Sequence, residues 1–103
     1  MCALTGIRAL CQSGAKAHAN GDALNAEFML RQAYTQARQL DSPVLEAKIL
    51  NTLAVFAMED KRVAFAIPLL AQAEQKVAAR IGTSNKLYTV IRNNLRQAQE
   101  AGG

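Results

Sequence analysis

Scarcity marks this 103-residue chain, which has no Trp, two Pro, two Cys, one His, two Tyr and three Phe. Strand-rich folds need β-branched and aromatic residues divided by many turn formers, and that supply is missing here. Cys2 and Cys11 are nine apart and form no CxxC pair, and His18 is the one histidine. A tetrahedral zinc site needs four nitrogen or sulfur ligands, so none is expected, and no cofactor either. Free thiols in a reducing compartment are the simpler expectation. The longest uncharged run, from Val63 to Ala73, is far shorter than the roughly 20 residues that cross a bilayer. Arg8 interrupts the short apolar stretch at the N-terminus, so no secretory leader is expected and a cytoplasmic, soluble protein is.

Chemistry is as poorly provided for. His18 has no second histidine to work with, and Glu59-Asp60 is the one adjacent acidic pair, placed where helices are expected to meet. No glycine-rich phosphate loop occurs, and Gly102-Gly103 reads as a frayed end. The residues offer no constellation for catalysis, so an enzyme is not expected.

What the chain has is 20 Ala and 12 Leu, with half its residues hydrophobic and 19% charged. Those are helix formers in globular proportion, and 103 residues suffice for one core built from small side chains. The expected class is all-α. The net charge of +4 is unevenly placed. Residues 1–60 carry five Lys/Arg against six Asp/Glu, and residues 61–103 carry seven against two. Anionic partners are therefore favoured by the second half.

Stop and start signals divide the chain into five helices near 3–19, 22–40, 43–59, 61–81 and 84–100. Gly21 suits a left-handed C-terminal position and Asp22 the cap that follows. Ser42-Pro43 pairs a cap with a residue pre-set for a first helical turn, and Glu46 lies just inside it. Asp60 is the expected cap of the fourth helix. Gly82 ends that helix, with Thr83 or Ser84 capping the fifth. Pro68, inside the fourth helix, should remove the bond to the Ala64 carbonyl and bend it. Turns this short make consecutive helices antiparallel, so the chain is a series of α-hairpins.

A shift of 40 residues aligns Leu10 with Leu50, Ala17 with Ala57, Ala26 with Ala66, Leu30 with Leu70, Gln32 with Gln72 and Ala33 with Ala73. A further copy starts 42 residues on, where Ile49–Ala57 returns as Ile91–Gln99 with Asn51 over Asn93 and Leu53 over Leu95. With Gly14 and Gly21, and with Leu53 and Ala54 in the second copy, these spacings resemble the tetratricopeptide repeat in its long variety. Ser13, Ala17 and Ala23 stand where that family usually has larger residues. The resemblance covers residues 3–100 and implies one short right-handed solenoid of about five helices. Repeat 1 would span about 3–41, repeat 2 about 43–82, and a capping helix about 84–100, apolar inward at Leu87, Ile91 and Leu95.

The same resemblance implies a non-enzymatic adaptor, chaperone or regulatory module that binds a peptide or helix of another protein. Its groove would be lined by the first helix of each hairpin. Carried over position by position, that groove holds Arg8, Cys11, Ala15 and His18, then Lys48, Asn51, Thr52, Val55 and Met58, then Asn93, Asn94 and Gln97. An amide donates and accepts at once, so asparagines on a groove wall can grip an extended backbone whatever its sequence. The lysine and asparagine clamp of chaperone-binding relatives is not reproduced, so a terminal carboxylate is not the expected ligand. A homodimer through an N-terminal face of Leu4, Ile7 and Leu10 is a second expected partnership.

Lys76, Arg80, Lys86, Arg92 and Arg96 could instead form an anion-binding strip, making the chain a helical regulator that contacts nucleic acid or an acidic protein. Tyr88 is the one aromatic nearby and no helix-turn-helix signature occurs, which weighs against nucleic acid. A free-standing array and a piece of a longer one remain equally open.

Overall fold

A computed structural model describes residues 3–102, and Met1, Cys2 and Gly103 lie outside them. The described residues form five α-helices and no strand: α1 Ala3–Ala19, α2 Ala23–Gln39, α3 Pro43–Glu59, α4 Val63–Ile81 and α5 Lys86–Gly102. The expected all-α class therefore holds. Two compact units divide between Ser42 and Pro43: Met1–Ser42 contains α1 and α2, and Pro43–Gly103 contains α3, α4 and α5. Among the described residues no helix is long and apolar enough to cross a membrane.

The first four helices begin twenty residues apart, and the turns between them share one hydrogen-bond pattern. At the end of α1, Asp22 N–H donates to the Ala17 carbonyl at 2.8 Å and Gly21 N–H to that of His18 at 3.0 Å. At the end of α2, Ser42 N–H donates to Ala37 and Asp41 N–H to Arg38, and at the end of α3, Arg62 N–H donates to Ala57 and Lys61 N–H to Met58. This is the Schellman closure, which satisfies the last carbonyls of a helix but needs one residue in the left-handed region. Gly21 enters it at φ 82°, Asp41 at φ 52° and Lys61 at φ 65°. Glycine does so without strain, Asp at modest cost and Lys at the full penalty of an L side chain.

That closure corrects the expected start of α4. Lys61 is committed to ending α3, so Arg62 becomes the N-cap, without a side-chain cap hydrogen bond, and helix begins at Val63 rather than 61. Asp60 is not the cap. The Arg62 guanidinium lies over the Phe65 ring, 4.4 Å from its centroid. The expected cap of α5 is corrected too, because Asn85, not Thr83 or Ser84, accepts from Tyr88 N–H at 2.8 Å. Asp22 caps α2 as expected, accepting from Asn25 N–H at 3.3 Å. Helix α4 runs through Pro68, which is exposed.

In α1 the buried residues are Ile7 and Gly14, and in α2 they are Ala26, Leu30, Ala33 and Ala37. A Cβ on Gly14 would stand 3.2 Å from Leu30 Cγ and 3.3 Å from the Ala26 carbonyl oxygen, so α1 and α2 meet here at backbone range. In the second unit α3 buries Ala47, Ile49, Leu50, Leu53, Ala54 and Ala57. Helix α4 buries Ala66, Leu70, Ala73 and Val77, and α5 buries Ile91, Leu95 and Ala98. The buried stripe of α2 is thus repeated forty residues later in α4, including Ala37 and Val77, a pair the sequence comparison omits. Leu10 and Ala17, by contrast, are only half-buried where Leu50 and Ala57 are buried.

The unequal cost of the left-handed position yields a graded expectation. Lys61→Gly should raise unfolding free energy by about 1 kcal/mol, and Asp41→Gly by less, since Asp tolerates this conformation better. Urea denaturation followed by circular dichroism measures both, and a loss of stability in Lys61→Gly would refute the account of the turn.

Candidate functional site

Within the unit of α3, α4 and α5, antiparallel packing of α4 on both neighbours brings α3 and α5 side by side in the same direction. Glu46 near the start of α3 meets Lys76 near the end of α4, and Gly102 at the end of α5 lies against Val63 and Ile67 at the start of α4. Asn51 and Asn94, each the ninth residue of its helix, then face one another. Asn94 Nδ2 donates to Asn51 Oδ1 at 2.9 Å, across half-buried surface. That bond leaves the Nδ2 of Asn51 as a donor and the Oδ1 of Asn94 as an acceptor outside the pair.

The other expected groove positions of this unit distribute around that bond. Thr52, Val55 and Met58 are half-buried along α3, while Lys48 is exposed. The Thr52 hydroxyl donates to the Lys48 carbonyl at 3.1 Å, a bond inside its own helix. Asn93 and Gln97 are exposed on α5, and Asn93 Oδ1 accepts from Arg96 Nη2 at 2.9 Å. The amide that meets Asn51 is therefore Asn94 and not Asn93. In the other unit, Arg8 and Ala15 are exposed on α1, and Cys11 and His18 are half-buried. Burial pushes the Cys11 thiol above its ordinary range, because a thiolate is desolvated there.

Two of the five basic positions are held by carboxylates. Lys76 Nζ donates to Glu46 Oε1 at 3.1 Å, and Arg92 Nη1 to Glu74 Oε2 at 3.2 Å. Arg80, Lys86 and Arg96 are exposed. Glu46, 6% exposed, is a buried charge, although the sequence marks it only as a residue of the first turn of α3. Its burial is decided by α4 lying over it, and only the thirty-residue separation of Lys76 from Glu46 could have hinted at the pair.

The expected N-terminal dimer face needs correction. Ile7 is 1% exposed and cannot meet a partner, and Leu10 is half-buried, leaving Leu4 as the exposed member. The most exposed apolar side chains of this unit are instead on α2, Leu24 at 85% and Phe28 at 58%. They are one turn apart, and Phe28 borders a shallow hollow with Arg31, Gln32, Thr35, Gln36 and Gln39. Among the described residues no group of three or more His, Cys, Asp or Glu could hold a metal ion. Compared with known protein families, curated proteins and solved structures, the chain matches none of them significantly.

Removing Lys76 would leave the Glu46 carboxylate buried without its ammonium partner. Lys76→Ala should cost about 1–3 kcal/mol in urea denaturation, and the paired Glu46→Gln/Lys76→Met change should cost less than that single change. An equal or greater loss in the paired variant would show that the ion pair is not what holds these side chains. Cys11 generates a second expectation. In a Cys2→Ser chain, alkylation by iodoacetamide should show its pH midpoint above that of a small free thiol, since the thiolate is the reacting form. A midpoint below it would contradict the desolvation.

Proposed function

We propose that this chain is a tetratricopeptide-like array of α-hairpins that acts as a non-enzymatic protein-binding module. It would take an extended segment of a partner protein across the neighbouring faces of α3 and α5. The observation that carries the reading is the Asn51–Asn94 hydrogen bond, which ties the two helices at mid-length. An extended backbone offers a carbonyl and an N–H, and the donor of Asn51 and acceptor of Asn94 are the complementary pair. Val55 and Met58 supply apolar surface one and two turns further along α3. Lys48, one turn before Asn51, adds a cation at the other end of that row. Equal spacing of the first four helices, the repeated buried stripe of α2 and α4, and Gly14 and Ala54 at matching positions support the solenoid reading. A cytoplasmic setting accords with the free Cys11 thiol.

The test is selection of linear peptides from a random library against the full chain. Selected peptides should bind the Asn51→Ala and Asn94→Ala variants at least tenfold more weakly than the parent, with helical content unchanged by circular dichroism. Enriched peptides indifferent to both changes, or no enrichment at all, would overturn the assignment.

A further inference from the structure

Helix α5 carries a surface whose meaning comes from its register with α1 and α3. Steps of forty and then forty-two residues superpose Leu10, Leu50 and Arg92; Gly14, Ala54 and Arg96; and Ala17, Ala57 and Gln99. In α1 the middle position meets α2 at backbone range, against Leu30 and the Ala26 carbonyl. In α3 all three positions are buried, Ala54 completely. In α5 the three are exposed, and together with Leu95 they surround a hollow. The face that receives a second helix in the first hairpin is present on α5 with its chemistry changed: two guanidinium groups and an amide stand where small and apolar side chains stood.

A helix laid in that register cannot approach as it does over Gly14, because Arg96 fills the gap. It can approach if it brings carboxylates. Arg92 and Arg96 are four residues apart, about 6 Å along the axis, so two acids one turn apart on a facing helix reach both. Arg96 gives one bond to Asn93 Oδ1 and Arg92 one to Glu74 Oε2, which orients each group while its remaining donors stay available. Leu95, 8% exposed, is the apolar floor between them. The seven Lys/Arg against two Asp/Glu of residues 61–103 add a positive field that attracts such a segment. No aromatic ring lines the hollow for base stacking, which disfavours a single-stranded nucleic acid there.

We propose that the Arg92, Leu95, Arg96 and Gln99 face of α5 docks an acidic amphipathic helix of a partner protein, in the register by which α2 packs on α1. This surface is separate from the amide pair of Asn51 and Asn94 and stands or falls without it. The probe is a fluorescent 18-residue Ala/Leu peptide carrying Glu at i and i+4, with its Gln counterpart and a 20-base-pair DNA duplex as controls, measured by anisotropy against the full chain. The Glu peptide should bind at least tenfold more tightly than the Gln peptide. Arg92→Gln/Arg96→Gln should weaken it at least tenfold, and Arg80→Gln should change it less than twofold. An Arg92→Glu/Arg96→Glu chain should instead select a Lys version of the peptide, which no unfolded variant would do. Absence of saturable binding, equal binding of the Gln peptide, equal loss in Arg80→Gln, or tighter binding of the duplex through the same two arginines would overturn the proposal.

Discussion

Backbone-range contact between paired helices is the constraint on which this chain's architecture rests. At Gly14 a single added Cβ would already press on Leu30 and the Ala26 carbonyl. Alanines at 26, 33, 37, 54, 66 and 73 are fully or almost fully buried, and Leu30 and Leu70 are the large side chains set among them. Dispersion falls off steeply with separation, so small residues stabilise by letting whole helix surfaces touch rather than by their own area. Such packing is intolerant of extra volume and leaves little interior room for a reactive site.

Helix length is the second regularity and follows from the turns. Three successive closures at Gly21, Asp41 and Lys61 fall twenty residues apart, although only one of them uses glycine. The strain accepted at Lys61 keeps α3 at seventeen residues, the same length as α1, α2 and α5. In the second unit, equal lengths and antiparallel packing on α4 are what place the ninth residues of α3 and α5 opposite each other. The amide pair is thus a product of register, in the way that an asparagine in a coiled coil is.

Charge on the second unit is divided between structural and available groups. Lys76 is engaged in holding the buried Glu46, and Arg92 contacts Glu74 on the surface. The excess of basic residues read from composition overstates the free cationic surface for that reason. Arg80, Lys86, Arg92 and Arg96 are exposed, the first on α4 and the other three along α5.

Much of the secondary structure was legible in the residues. Ala and Leu content specified helix, Gly21-Asp22 marked a turn, and Ser42-Pro43 coincides with both the start of α3 and the division between units. Local signals of this kind act within a few residues, so a linear reading captures them. The turn between α3 and α4 was legible at Glu59-Asp60, but the left-handed Lys61 and the cap at Arg62 were not, because a left-handed lysine has no local sequence signature and is held against propensity by the closure onto Met58 and Ala57. Asn94 was legible as a candidate amide, but its pairing with Asn51 was not, since the sequence register sets Asn93 over Asn51 and one residue of helix rotates a side chain by about 100°. Ile7 likewise read as an exposed apolar residue and is buried. Composition together with local stop and start signals determined five helices, and the forty-residue periodicity the positions of their small residues. Tertiary structure alone decided which side chains meet, because a contact depends on the rotation and approach of whole helices, and those are set by the sum of many distant packings.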